Sequence, residues 1–242
     1  MRVLILGGTG EARDLATRLH PDVDIVSSLA GRVPNPALPV GPVRIGGFGG
    51  VNGLREWLRD NGISAVVDAT HPFAAGITAN AAQACSDLGI AYLVLARPAW
   101  PTADALVVSS DHEAAQKLDF LGSRKVFHTC GRTGIAAYRD LDAWFLIRVV
   151  TAPEPGHLPT RHEVLLSRGP YRYADEVALL TASGIDALVT KNSGGVMTRA
   201  KIDAAISLGI TVLMIDRPAL PDQVGVVSAV ADAIDWVRNV IA

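Results

Sequence analysis

Gly62-Ile63-Ser64-Ala65-Val66-Val67 returns in the second half of the chain as Gly184-Ile185-Asp186-Ala187-Leu188-Val189, and this recurrence decides the fold. Each copy places a glycine before a short apolar run without polar interruption, the pattern of a parallel strand covered on both faces. Working outward, Arg2-Val3-Leu4-Ile5-Leu6-Gly7-Gly8-Thr9-Gly10 lies against Lys125-Val126-Phe127-His128-Thr129-Cys130-Gly131-Arg132-Thr133-Gly134, with Arg132 as a one-residue insertion. Val43-Arg44-Ile45 lies against Val164-Leu165-Leu166. Leu88-Gly89-Ile90 leading to Arg97-Pro98-Ala99-Trp100-Pro101 recurs as Leu208-Gly209-Ile210 leading to Arg217-Pro218-Ala219-Leu220-Pro221. The offsets fall between 120 and 124 residues, half of a 242-residue chain, so two copies of one unit account for its length.

Within each copy, strands alternate with helices. Strands are expected over 3–6, 24–26, 65–67 and 91–95, with helices over 11–19, 53–61 and 74–88. In the second copy, helices are expected over 135–138, 174–183 and 197–208, and a last helix over 228–241. This cadence predicts an α/β protein of two pseudo-repeated Rossmann- or flavodoxin-like parallel-sheet halves facing a cleft. The expected division is 1–110 and 111–242, joined near 110–123. Residues 224–227 are expected as the last strand of the second half, and the final helix is a candidate to pack back on the first.

Composition narrows the function. The chain is 49% hydrophobic and 19% charged, which excludes disorder, and a net charge of −2 gives no global field to attract nucleic acid. No apolar run approaches the roughly 20 residues needed to span a bilayer, and the opening apolar run leads into glycines rather than a signal-peptide core. Cys85 and Cys130 stand in no CxxC spacing, so a reducing cytoplasm is expected, with neither a disulfide framework nor a metal site. Any anionic ligand must therefore be held locally.

In open α/β sheets ligands bind at the carboxyl edges of the strands, so the residues after each strand carry the information. Gly7-Gly8-Thr9-Gly10-Glu11-Ala12-Arg13 follows the first strand and opens a helix, where glycines let backbone approach a pyrophosphate and the helix start complements its charge. Read from Gly8, Arg13 stands where GxGxxG needs a third small residue, so only the looser glycine turn remains. An NAD site places an acid at the end of the second strand, but here Asp24-Ile25-Val26-Ser27-Ser28 runs into Leu29-Ala30-Gly31-Arg32. Ser28 and Arg32 instead suit a phosphate, which points to NADPH; the alternative is a solvated surface arginine.

Gly46-Gly47-Phe48-Gly49-Gly50 follows the third strand, and Phe48 is a candidate to lie beside an adenine or nicotinamide ring or simply in a core. After the fourth strand, Asp68-Ala69-Thr70-His71-Pro72-Phe73-Ala74 puts Thr70 and His71 at the strand edge, with Pro72 suited to the helix start. A capping threonine and a structural histidine are the plainer alternative. The matching loop of the second half, Lys191-Asn192-Ser193-Gly194-Gly195, supplies a cation, side-chain donors and exposed backbone N–H groups. Arg132 follows the second half's first strand, and Arg148 and Arg168 are expected after its second and third. Cations at several strand ends of a nearly neutral chain read as a site for a multiply anionic ligand.

Taken together, Gly7-Gly8-Thr9-Gly10-Glu11, Gly31-Arg32, Gly46-Gly47-Phe48, Asp68 to Ala74, Arg97-Pro98-Ala99-Trp100 and Lys191 to Gly195 resemble the precorrin-6A reductase family of cobalamin biosynthesis, over essentially the whole chain. The resemblance implies reduction of one double bond of the precorrin-6A macrocycle to precorrin-6B by NADPH, with hydride passing to a carbon near ring D. It implies a cofactor site of Gly8, Thr9, Gly10, Glu11, Ser28, Arg32, Gly47, Phe48, Thr70 and His71. The substrate carboxylates would fall to Arg132, Lys191, Asn192, Ser193 and Gly194, with His71, Tyr171 and water as candidate proton donors. Neighbouring cobalamin-pathway enzymes are the candidate protein partners. Two other readings stay open: another NADPH-dependent reductase of a polyanionic small molecule, and a nonenzymatic NADPH-binding sensor. A dehydrogenase of the YxxxK type is not supported, because Tyr92 is the only tyrosine before Tyr138 and Ala96 stands four residues after it.

Overall fold

The structure is a computed structural model and describes residues 1–31 and 36–241. In chain order its elements are β1 (Arg2–Leu6), α1 (Gly10–Leu19), β2 (Asp24–Leu29), β3 (Val43–Ile45), α2 (Gly50–Asp60), β4 (Ile63–Asp68), α3 (Ala75–Leu88), β5 (Ala91–Leu95) and β6 (Leu106–Val108). They continue with α4 (Asp111–Leu121), β7 (Lys125–His128), β8 (Trp144–Val149), β9 (Arg161–Leu166), α5 (Tyr173–Ser183), β10 (Ala187–Lys191), α6 (Ala200–Ser207), β11 (Thr211–Ile215), β12 (Gly225–Val227) and α7 (Val230–Ile241). A 3-10 turn, Ile135–Tyr138, stands where the second half was expected to have its first helix. Among the described residues no helix is long and apolar enough to cross a membrane.

Two six-stranded parallel sheets result, ordered β12-β5-β4-β1-β2-β3 and β6-β11-β10-β7-β8-β9. Strand for strand the orders match, with β7 to β11 in the places of β1 to β5, so the internal repeat is a repeat of topology. In the first sheet β1 shows why the strands read as continuous apolar runs: Val3 and Ile5 pack with α1 and α7, whereas Leu4 and Leu6 pack with α2 and α3. Alternate side chains point to opposite faces, and helices cover both.

The sixth strands are exchanged, which corrects the expected division. β6, from the first half of the chain, pairs with β11, whereas β12 pairs with β5 and belongs to the first sheet rather than closing the second. The compact units are therefore 1–98 with 218–242, and 99–217. The boundary lies at 98/99 because β6 and Trp100 are both tied to the second unit. Residues 111–121 form α4 rather than a linker, capped by the Ser110 hydroxyl, which accepts from the Glu113 N–H. In the return segment α7 packs against α1 through Ala233, Ile234 and Val237.

Arg148 also differs from expectation. It lies inside β8, not after it, and its guanidinium makes a two-pronged pair with Glu176 of α5, Nη1 to Oε2 at 3.0 Å and Nη2 to Oε1 at 2.8 Å. Both side chains are buried, and the guanidinium lies between the rings of Phe127 and Tyr171. This arginine is part of the core of the second unit.

Candidate active site

In the first unit the β1–α1 turn is built by its caps. Thr9 is extended (φ −111°) at the start of α1; its hydroxyl accepts from the Ala12 N–H at 3.1 Å and donates to the Ala69 carbonyl at 2.6 Å. That second bond ties the turn to the end of β4, so the Thr9 side chain is spent on structure and what it offers a ligand is backbone. Gly8 has φ +111°, a region L side chains avoid, and a side chain built there would meet no atom of the described residues within 4 Å. Glu11 pairs with Arg97 at 3.1 Å, joining the first turn of α1 to the segment after β5.

The ends of β2 and β3 hold the group that reading the sequence missed. Arg32 lies outside the described residues. Within them, the cation beside Ser28 is Arg44, its register neighbour on β3. Arg44 Nη1 donates to Ser28 Oγ at 3.0 Å and to the Gly46 carbonyl at 2.9 Å, and Nη2 donates to the Gly47 carbonyl at 3.0 Å. Its guanidinium lies 3.7 Å from the centroid of Phe48, whose edge meets Trp57. Phe48 thus has one face under an arginine. Partial burial lowers the pKa of Arg44 somewhat. The signal for it was available: an arginine inside a three-residue strand, two residues before a glycine–aromatic loop.

That loop is fixed by a close approach. A Cβ at Gly53 in α2 would overlap the Phe48 carbonyl, so the helix can pass under the loop only where a side chain is missing. Gly53→Ala is expected to shift Phe48 and Arg44 and to destabilise the first unit by about 2 kcal/mol, in the range of overpacked sites. Urea unfolding checks this, and an unchanged midpoint would reject it.

After β4, Asp68 organises the HPFA segment. Its side chain, 1% exposed, accepts from the Thr70 N–H (3.0 Å), the Thr70 hydroxyl (2.6 Å), the Thr78 hydroxyl (2.6 Å) and the Tyr92 hydroxyl (3.0 Å). Burial and the adjacent carboxylate push the Tyr92 phenol far up, so it remains a donor. His71 Nδ1 accepts from the Phe73 N–H at 3.2 Å, which leaves the hydrogen of the neutral ring on Nε2. Beside it, Pro72, Ala75 and Thr78 with Pro218 and Leu220 line an apolar depression of the first unit.

In the second unit the KNSGG loop divides into parts. Asn192 is 2% exposed and clamps Trp100: its Oδ1 accepts from the Trp100 N–H at 2.8 Å and its Nδ2 donates to the Trp100 carbonyl at 3.2 Å. The amide expected to meet a substrate carboxylate is committed to main chain. Trp100 Nε1 donates to the Gly195 carbonyl at 2.7 Å, so the loop and the RPAW segment hold each other. Gly194 and Gly195 both take positive φ. Lys191 and Ser193 stand at the β10 edge, and Arg132 is exposed after β7. Tyr171 is half-buried over Arg148, its ring 4.1 Å from the guanidinium. Below Trp100, burial lowers the Lys201 pKa to about 8 while its ammonium donates to the Thr198 carbonyl.

Parallel doubly wound sheets with a glycine turn after the first strand define a Rossmann-like α/β protein. The chain belongs to the precorrin-6x reductase family and is an oxidoreductase: the family model described as "Precorrin-6x reductase CbiJ/CobK" matches residues 2–238. It is 65% identical over 238 residues to a precorrin-6A reductase of Mycobacterium tuberculosis, covering 98% of each chain. It is 54% identical over 242 residues to one of Rhodococcus erythropolis, covering 98% of this chain and 97% of that one. A cobalt-precorrin-6A reductase of Methanothermobacter thermautotrophicus is 28% identical over 258 residues, covering 100% and 85%. A solved CobK precorrin-6A reductase superposes with a TM-score of 0.91 at 36% identity, covering 100% of this chain and 98% of that one.

Proposed function

We propose that this chain reduces precorrin-6A to precorrin-6B in cobalamin biosynthesis, with NADPH as the reductant. The observation that carries the cofactor choice is the Ser28–Arg44 pair at the ends of β2 and β3, with no carboxylate at the end of β2. The residues fit a nicotinamide nucleotide: side chains built at Gly8, Gly46 or Gly47 would meet no atom of the described residues within 4 Å, which supports approach of a ligand to their backbone. Gly8, Gly10 and Glu11 would hold the pyrophosphate end through the start of α1, and Ser28, Arg32 and Arg44 the 2′-phosphate. Gly47, Phe48, Thr70 and His71 complete the cofactor side. The marked similarity to precorrin-6A rather than cobalt-precorrin-6A reductases supports the metal-free macrocycle as substrate.

When bound, NADPH supplies the hydride that reaches a conjugated carbon near ring D. The chain's own residues then have separate tasks. Thr9 and Asp68 hold the β1 and β4 edges in place. His71 carries its hydrogen on Nε2 and is a candidate to protonate the neighbouring carbon, with Tyr171 and water as the others. Arg132, Lys191, Ser193 and the Gly194 backbone receive macrocycle carboxylates, and Asn192 contributes by holding the loop. In this reading the first unit binds NADPH and the second the tetrapyrrole. The chain's location is the cytoplasm, and neighbouring enzymes of the pathway are its candidate partners.

The test follows loss of nicotinamide absorbance together with the change in the macrocycle spectrum when the protein meets NADPH and precorrin-6A. Absence of oxidation would overturn the activity and favour a binding-only role. Arg44→Met is expected to raise the KM for NADPH by about tenfold or more while leaving that for NADH within about twofold, since a charge-assisted phosphate contact is worth roughly 1.5–3 kcal/mol. Arg32→Ala is expected to act in the same direction, and equal losses for both nucleotides would reject the 2′-phosphate assignment.

A further inference from the structure

His128, the last residue of β7, has 0% exposure, and among the described residues neither of its ring nitrogens has a hydrogen-bond partner. Buried polar groups are almost always satisfied, and one that is not points to a bound water or ion. Two other groups converge on this ring. Cys130, also buried, follows two residues later in the bend after β7. Asp111, from the first turn of α4, brings Oδ1 to 3.8 Å from His128 Nε2. One ligand atom from each of the three lies within 4.8 Å of those of the others.

We propose that Asp111, His128 and Cys130 form a binding site for one borderline transition-metal ion, with Zn²⁺ as the best match to the donors. One thiolate, one imidazole and one carboxylate are the ligand types zinc takes, and three protein ligands leave its fourth position for water. On binding, Cys130 gives up its proton to solvent and becomes the thiolate, so the two anionic ligands balance the divalent charge. Without an ion, burial and the Asp111 carboxylate push the Cys130 thiol up, against the smaller opposing effects of Lys191 and Lys201.

Two features give the site a supporting shell. The Tyr138 hydroxyl donates to Asp111 Oδ1 at 3.0 Å, holding the carboxylate in the way that partners of metal ligands do. On its other side the carboxylate sits against Gly134 (φ +89°), where a Cβ would overlap it, so a glycine in the Gly131-Arg132-Thr133-Gly134 loop makes the room that Asp111 occupies. Asp111, the one partly exposed member with its side chain 18% accessible, supplies the entry path. A bound ion joins the start of α4 to the end of β7. No spacing rule reveals this set, because Asp111 reaches it from a separate element.

Chelator-treated protein titrated with Co²⁺ tests the site. The expected result is uptake of one equivalent with a thiolate-to-cobalt charge-transfer band, displaced by one equivalent of Zn²⁺. Cys130→Ser is expected to remove that band and weaken binding at least about tenfold, whereas Cys85→Ser leaves both unchanged. X-ray absorption of the zinc-loaded unsubstituted protein needs no variant to fold, and is expected to show one sulfur with nitrogen and oxygen donors. No one-equivalent uptake, a zinc shell without sulfur, or a charge-transfer band that survives Cys130→Ser would overturn the proposal.

Discussion

Asp68→Ala is expected to lose roughly 3 kcal/mol of stability and to lower the reductase turnover by at least about tenfold, because the lost carboxylate leaves several donors unsatisfied at about 1–3 kcal/mol for each that stays buried. Four hydrogen bonds converge on this side chain, two of them from Thr70 and the others from Thr78 and Tyr92. Thr78 lies on α3 and Tyr92 on β5, so the residue locks three elements together just where the chain turns into Thr70 and His71. Asn at this position keeps the shape but offers one carbonyl in place of a carboxylate, and an intermediate loss is expected. Urea unfolding and NADPH oxidation measured on the same preparations check both parts. A stable Asp68→Ala protein with full turnover would show that the HPFA segment is held by something else.

Glu176→Ala is expected to cost about 3–5 kcal/mol, the usual penalty for leaving a buried charge without its partner. Arg148 makes two hydrogen bonds to this carboxylate, and the side chains are only 7% and 2% exposed. Replacing both members, Arg148→Met with Glu176→Leu, is expected to recover most of the loss, since an apolar pair of similar volume removes the desolvation cost of both charges. The double variant also separates packing from binding. Arg148 lies within β8 and between two rings, so the KM for the macrocycle is expected to stay within about threefold if its role is in the core. A large rise in KM with stability restored would return Arg148 to the set of substrate ligands. Denaturation curves give the first comparison and steady-state kinetics the second.

The strand runs were legible because a strand covered on both faces needs uninterrupted apolar residues, and 3–6, 65–67 and 91–95 have that pattern with few alternatives. β2 runs from its apolar start at 24–26 through Ser27 and Ser28, as read in the sequence, and ends one residue further on at Leu29, where the ladder to β3 continues. The second half's expected helix over 197–208 shortens to Ala200–Ser207, after glycines with positive φ and a turn. At the site, the positions of the glycine turn, of Thr70 and His71 and of the KNSGG loop at strand ends could be read directly. What their side chains touch could not. Thr9, Asn192 and Arg148 look like ligand-binding residues in sequence, yet their polar atoms are largely or wholly used by Ala12 and Ala69, by Trp100 and by Glu176.

By itself the sequence determined that this is a duplicated α/β protein, where its strands run, and which loops follow them, since these depend on residues close together in the chain. Tertiary structure alone decided which sheet receives β6 and which receives β12, because a short parallel edge strand has the same local pattern in either place and only its ladder partner distinguishes them. It also decided that Arg44 stands at Ser28 and that Asp111 reaches His128 and Cys130. The physical reason is the same in each case: periodicity records which face a residue presents, whereas hydrogen bonds, ion pairs and ligand sets depend on elements that the packing of the sheets brings together.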